Sequence, residues 1–521
     1  MRHMFAAAFL FAVALAASGL AVALQAQPPA LAIVGATLID GNGGPPVRDA
    51  VVVMTGGRVS AVGPRASTTV PVGAQTIGAA GKFVVPGFVD TNVHLSLYGG
   101  MNDRYETLVR YYDRQQDIVL EAAQIDLSYG VMTVRDSYGM LRPLTAVRDR
   151  IASGEALGPR ILAAGNILGW SGPYSISFSL TREQGLTLFQ EQMNDEIAQG
   201  AGEELMSLTP GDLARAIDAY VAKRPDFVKY GGTSHFSEPT FLGFSPEAQK
   251  TIVDRAHAAG RMVETHATSL EGLRVAMDAG IDGIQHPEVV DGKAFPEDLI
   301  PRLREKSIIC SMLVSTITGE AWEKHLKDQA EAQKKLVEAD KKLTEDESKS
   351  EAERRRPRTT FEERQRATDL GTALDMRRRN AQTLIRAGAL VTVGTDSYWA
   401  SASELSRTPK PQNQAHGIGT IMAIEGLVEL GMTPSQALVA GTKNGAIAAR
   451  AIADSGTLEV GKRADLIVLD ADPLADIHNI RKIAILVKDG RVVDRASLPQ
   501  KRVLSRAPSH PIASPGRNNH G

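Results

Sequence analysis

Apolar and polar positions follow two different rhythms along this chain. Over residues 27–85, short β-branched runs (Ala32-Ile33-Val34, Ala50 to Met54, Val59 to Val62) are separated by Gly41-Asn42-Gly43-Gly44 and Gly56-Gly57. Runs of that length between glycine turns predict strands of a β-rich unit. The same rhythm returns over 441–500, with Ala464 to Leu469 and Ile483 to Val487 bounded by Asp472-Pro473 and Asp489-Gly490. Between them, over 86–440, β-branched runs alternate with amphipathic helical stretches, the pattern of parallel βα units. Eight such runs are read: 83–90, 131–136, 160–164, 227–230, 262–266, 283–286, 307–312 and 390–396.

Eight βα units predict an α/β fold, a closed (β/α)8 TIM-like barrel, with a small β-sandwich built from both chain ends. Without its insertion the middle is close to the roughly 250 residues typical of such a barrel. That insertion, 316–380, is dense in Glu, Lys, Asp, Ala and Arg and carries Arg354-Arg355-Arg356 before Pro357. It reads as charged, solvated helices broken near Pro357, with no direct chemistry required of them; a lid over the barrel mouth or a dimer arm is the functional alternative. The segment 501–521, with Pro508, Pro511, Pro515 and Gly516, reads as a disordered tail.

The chain opens on a basic Met1-Arg2-His3-Met4, an apolar run from Phe5 to Leu24, and Gln25-Ala26-Gln27-Pro28-Pro29. This is the layout of a secretory signal peptide over residues 1–26. The mature protein is therefore expected to be exported, periplasmic or extracellular, with no stable membrane span. Lys plus Arg number 58 against 60 Asp plus Glu, so no global basic field holds a nucleic-acid backbone. The single cysteine, Cys310, excludes an internal disulfide and lies in an apolar run, as a packed core thiol would. Assembly into a homo-oligomer is expected.

Barrel enzymes carry their chemistry at the C-terminal ends of the strands. His94 follows the first predicted strand, Lys229 lies near the end of the fourth, His266 and His286 end the fifth and sixth, and Asp396 ends the eighth. Each alone is ordinary: a strand-end His bonds a loop, and a strand-end Asp caps the next helix. Their joint occurrence in register points to a shared site, and imidazole with carboxylate suits a divalent ion, zinc foremost. Tyr230 and His235, after the fourth strand, are candidate substrate-binding groups, with Thr233 beside them. Trp170, Tyr174, Tyr398 and Trp399 are weaker candidates for the pocket wall. Arg135 and Asp136 are expected to pair with each other.

The run Val85-Pro86-Gly87-Phe88-Val89-Asp90 followed by His94 resembles the opening motif of the amidohydrolase superfamily. So do Thr133-Val134-Arg135-Asp136, Gln285-His286, Gly394-Thr395-Asp396 and Gly461-Lys462-Arg463-Ala464-Asp465-Leu466. The resemblance spans about residues 30–495 and is similar in layout to imidazolonepropionase-related and prolidase-like members. It implies hydrolysis of a carbon–nitrogen bond in a small amide, dipeptide-like, N-acyl amino acid or cyclic. It implies one or two divalent ions, His266 and His286 as ligands of one, Lys229 as a carboxylated bridge, and Asp396 as ligand and proton shuttle. The family's first strand ends in His-x-His; here it reads Asn92-Val93-His94. A neutral amide is a weak or replaced ligand, so a one-metal site and a weakened two-metal site both stay open.

Two other functions compete. A deaminase on this barrel carries Glu three residues after the fifth-strand His, where this chain has Ser269, and lacks the lysine. A non-catalytic or weakly catalytic exported binding protein is the alternative that Asn92 motivates.

Overall fold

The computed structural model describes residues 30–97, 108–171, 187–234, 240–345, 373–399 and 412–505. The segment 1–26, His235, Tyr174, Pro357 and residues 506–521 lie outside them. Among the described residues no helix is long and apolar enough to cross a membrane.

Both chain ends do meet in one unit. Strands β1 (Leu31–Leu38), β2 (Val47–Thr55), β3 (Arg58–Pro64), β4 (Gln75–Gly78) and β5 (Phe83–Pro86) form a mixed sheet with three strands from the far end of the chain. Those three are β15 (Leu466–Leu469), β16 (Ile483–Lys488) and β17 (Arg491–Val493). Instead of two stacked sheets, hydrogen bonds connect all eight strands into one. Strand β1 forks, taking β4 along Leu31–Val34 and β5 along Thr37–Leu38. Consecutive residues of β2 bury on opposite faces: Ala50, Val52 and Met54 on one, Val51 and Val53 on the other. That explains its unbroken valine run.

The expected first strand, 83–90, is two strands. Phe83–Pro86 pairs with β15 in the mixed sheet, whereas β6 (Phe88–Leu97) begins the parallel body. The chain changes sheets at Gly87, where a Cβ would run into Met132, so no side chain fits the crossing.

The parallel body has two parts. Strands β6, β7 (Val131–Asp136) and β8 (Arg160–Ala163) form one, joined by β14 (Ser397–Trp399) on the far side of β6. The other contains β9 (Val228–Gly231), β10 (Val263–His266), β11 (Gly283–Gln285), β12 (Ile309–Met312) and β13 (Leu390–Val393). The parts adjoin at both seams. Leu168 N–H bonds Lys229 O at 2.9 Å, and Gly231 N–H bonds Leu168 O at 3.0 Å. Asp396 N–H bonds Asn92 O at 2.8 Å.

Helices connect the strands, among them α1 (Gln115–Ser128), α2 (Leu141–Ala152), α3 (Leu188–Ala198), α4 (Pro210–Val221), α5 (Pro246–Ala258) and α6 (Leu270–Ala279). Thr209, Ser245 and Ser269 cap α4, α5 and α6 by accepting backbone N–H bonds. Each satisfies a donor that the first helical turn leaves unpaired.

The insertion leaves the C-terminal end of β12 as α8 (Gly319–Glu345), after α7 (Leu299–Glu305), and returns as α9 (residues 373–386). The return helix is anchored, not solvated. Asn380 accepts from Phe295 N–H at 2.8 Å and donates to the carbonyls of Glu288 and Lys293. Arg378 stacks 4.7 Å above the Trp322 ring of α8.

The chain's final described stretch also departs from expectation. Lys501–Ser505 belonged to the segment read as a disordered tail. Instead, the Glu121 carboxylate on α1 accepts from the backbone N–H groups of Val503, Leu504 and Ser505 and from the Ser505 hydroxyl. Leu504 packs on Tyr111 and Ile118.

Candidate active site

Strand ends from both parts of the parallel body converge on one carboxylate oxygen, Asp396 Oδ1. His94 Nε2 lies 2.9 Å from it, the Asn92 amide donates to it at 3.2 Å, and His286 Nε2 is 3.6 Å away. His94 and Asn92 reach the same point because alternate residues of a strand face one side. Burial alone would raise the Asp396 pKa. The His94 ring, by charge and hydrogen bond, with His286 and Lys229, overrides that and holds it well below the usual carboxylate range. Burial pushes His286 down to about 4, so its imidazole is neutral and available as a ligand at neutral pH.

Lys229 is buried beside this group. Desolvation lowers its pKa to about 8 against the pull of Asp396, Glu264 and Asp136. Its Nζ donates to Ser137 Oγ at 3.3 Å, and Ser137 donates to Asn92 Oδ1 at 2.5 Å. A directed chain thus runs from Lys229 through Ser137 and Asn92 to Asp396. Asn92 presents its NH2 to the carboxylate and its oxygen to Ser137. Sequence reasoning missed Ser137; its position directly after Asp136, at the end of β7, was the available signal.

His266 stands on the same face, its ring 5.4 Å from that of His286. Two site residues hold positive φ, His286 at 57° and Asp396 at 53°. For residues other than glycine this left-handed conformation costs of order 1–3 kcal/mol and clusters at functional sites.

Other expectations are corrected. Tyr230 does not reach the site. As the neighbour of Lys229 on β9 it points to the opposite face, fully buried, where its hydroxyl donates to Gln249 at 2.7 Å and its ring meets Phe244. Thr233 likewise bonds Thr268. Arg135 does not pair with Asp136: it forms a buried ion pair with Glu264 and lies 4.0 Å over the Phe227 ring. Asp136 instead accepts from Leu95 N–H at 2.6 Å, and burial raises its pKa well above the usual range. Trp170, a weaker candidate for the pocket wall, does lie at the site, 5.5 Å from His266. Cys310 is a buried core thiol pushed up to about 12 by desolvation.

Among the described residues, no three His, Cys, Asp or Glu side chains are already set as a coordination sphere. The donors nonetheless fit a divalent ion. Two ligands on a tetrahedral ion with bonds near 2.1 Å lie roughly 3.4 Å apart. The His94–Asp396 and His286–Asp396 separations, 2.9 and 3.6 Å, bracket that spacing. Nδ1 of His286 is buried with no hydrogen-bond partner among the described residues, a polar atom whose burial is costly as it stands.

Residues 83–493 match the model of the amidohydrolase family. The chain belongs to this family. A solved structure of molinate hydrolase superposes on this amidohydrolase with a TM-score of 0.77 at 30% identity, covering 94% of this chain and 99% of that one. A structure of phenylurea hydrolase B gives 0.77 at 28% identity, over 92% and 100%. The imidazolonepropionase of Haloarcula marismortui is 25% identical over 459 residues, 85% of this chain and 90% of the relative. The amidohydrolase is thus an enzyme of a family acting on carbon–nitrogen bonds and generally using a divalent metal.

Proposed function

We propose that this amidohydrolase cleaves the carbon–nitrogen bond of a small amide or urea by adding water to its carbonyl. The observation that carries this reading is the convergence of His94, Asn92 and His286 on Asp396 Oδ1 beside a buried lysine. The likeness to phenylurea hydrolase B, whose name specifies a urea, puts ureas beside dipeptides, N-acyl amino acids and cyclic amides as substrates to test.

His266, His286, His94 and Asp396 would hold a divalent ion, zinc by donor preference. When bound, it polarises the carbonyl and acidifies water. The remaining chemistry belongs to the chain. Asp396 is ionised, so it accepts a proton from the attacking water and returns it to the departing nitrogen. The Asn92 amide, which donates to Asp396 at 3.2 Å, holds that carboxylate at a fixed angle through the exchange. Lys229, with its ammonium destabilised by burial, has the neutral fraction that reaction with carbon dioxide requires, and the resulting carbamate would help to hold a second ion.

Strand order and the two seams support closure of the parallel body into a (β/α)8 barrel, with the site at its C-terminal rim. Residues 1–26 support export with removal of the leader; N-terminal sequencing from the native host tests it, and an intact Met1 in a membrane fraction refutes it. Deamination is disfavoured because Ser269, where a general acid would stand, caps α6 by accepting from Gly272 N–H at 3.0 Å.

The test is turnover of metal-replete protein on a panel of ureas, anilides, N-acyl amino acids, Xaa-Pro dipeptides and lactams, with metal content measured alongside. Amine release that depends on retained metal is expected. Neither metal nor turnover would favour a binding protein on the same scaffold.

A further inference from the structure

A circuit of side chains closes around the candidate site, and two of its members are not ligand-type residues. His94 meets Tyr138 edge to face at 5.9 Å, Tyr138 meets Trp170 at 6.2 Å, and Trp170 meets His266 at 5.5 Å. His266 meets His286, and Asp396 joins His286 back to His94. Edge-to-face contacts between rings 4.5–7 Å apart are attractive and directional, so each ring limits the rotation of the next.

Trp170 occupies the position that closes this circuit, and the chain is built to keep it there. Gly231 lies two residues beyond Lys229 on β9, on the same face, and pairs in register with His266. A Cβ at Gly231 would run into Nε1 of Trp170, so the indole lies in the notch that the missing side chain leaves. The turn carrying Trp170 is pinned by Asn166. That buried amide donates to three carbonyls, those of Ile167 at 3.0 Å, Trp170 at 2.6 Å and Ala201 at 3.0 Å. Trp170 N–H closes the turn on Ile167 O at 3.0 Å. Its turn is pinned, its indole is seated in a notch, and the residue is 2% exposed.

We propose that Trp170, seated over Gly231, is a positioning residue that fixes the ring orientation of His266 and so sets the affinity of the site for its divalent ion. The inference rests on the metal-dependent reading above. Residues that orient a ligating histidine without touching the ion typically change metal affinity or activity about 10–100-fold.

The test compares Trp170→Ala, Trp170→Phe and Gly231→Ala with wild type. A further control, Thr442→Val, removes a buried hydroxyl that donates to Leu438 O at 2.6 Å inside the helical stretch 434–448. Two quantities are read: zinc retained during titration with a mild chelator, and the imidazole resonances of histidine-labelled, metal-free protein. Trp170→Ala and Gly231→Ala are expected to release zinc at about tenfold lower chelator or less and to shift or broaden the His266 signals. Trp170→Phe keeps a ring edge on His266 and should recover most of the retention; it also reports if the alanine variant fails to fold. Thr442→Val should change stability without changing zinc retention. Wild-type retention and unshifted His266 signals in Trp170→Phe and Gly231→Ala, with Trp170→Ala alike or unfolded, would overturn the proposal. If the wild type binds no zinc and hydrolyses nothing, the functional reading falls, and the histidine spectra alone decide whether Trp170 orients His266.

Discussion

Two aspartates at the top of the parallel body, Asp90, fully buried, and Asp396, whose side chain is 19% exposed, have opposite surroundings. Asp90 accepts four bonds from neutral donors: the hydroxyls of Thr395 at 2.8 Å and Thr420 at 2.7 Å, and the backbone N–H groups of Asn92 at 3.1 Å and Thr395 at 3.3 Å. Among the described residues no ion pair is made to it, and burial raises its pKa to about 7 despite those bonds. Asp396 is approached by nitrogens of His94, Asn92 and His286 and is held strongly acidic. It also sits on a strained backbone, with φ 53°. One carboxylate ties strand ends together and the other is held charged among nitrogens. Environment, not residue type, separates structural from chemical roles.

Removing each carboxylate should therefore do different damage. Asp90→Leu strands two hydroxyls and two N–H groups in the interior. At about 1–3 kcal/mol for each donor left unsatisfied, it should lose at least about 3 kcal/mol in urea unfolding; a loss below 1 kcal/mol would break the contrast. Asp396→Asn should lower turnover by at least about a hundredfold while thermal unfolding stays close to wild type. Near-normal turnover would remove Asp396 from the chemistry.

The Asn92 side of the Asp396 cluster sharpens the contrast further. Its amide oxygen already accepts from Ser137, so this position gives little to a metal. Wild-type protein should hold its ions unequally, and Asn92→His should raise retention of the weaker one by about tenfold, read by elemental analysis after dialysis against a mild chelator. Two equally retained ions in the wild type would show that Asn92 costs the site nothing.

The last contrast is read as a slope. Folded Asp90 keeps its proton up to about pH 7, whereas the unfolded chain releases it near 3.8. Between those values the folded state binds more protons, so this group makes stability fall as pH rises, by up to about 1.4 kcal/mol per unit. Asp90→Asn should flatten that part of the stability profile between pH 4 and 7. An unchanged slope would mean that Asp90 is ionised in the folded chain.

Much of this amidohydrolase was legible in its sequence, because local rules sufficed. Gly-bounded β-branched runs located most strands of both units, although β4, β14 and β17 were not read. Strand ends are where this architecture exposes side chains, so His94, Lys229, His266, His286 and Asp396 were legible as one group. The misreadings have two causes: a local alternation passed over, and partners that lie across the fold. Tyr230 was read toward the site although the period-two alternation from Lys229 turns it away, and only its partners Gln249 and Phe244 show where it goes. Arg135 was matched with its sequence neighbour, while its partner Glu264 lies 129 residues away.

What the amino-acid sequence determined by itself was the set of elements and the donor types at their ends, since backbone period and side-chain chemistry are properties of short stretches. Tertiary structure alone decided which groups meet. It split one apparent strand at Gly87, because Met132 leaves no room there for a side chain. It bound the chain's last described residues to Glu121, a carboxylate that four donors reach only when α1 and the C-terminal segment lie side by side. It also gave two aspartates opposite ionisation. A carboxyl group's pKa depends on burial and on the charges within a few ångströms, and those neighbours come from strands far apart in the chain.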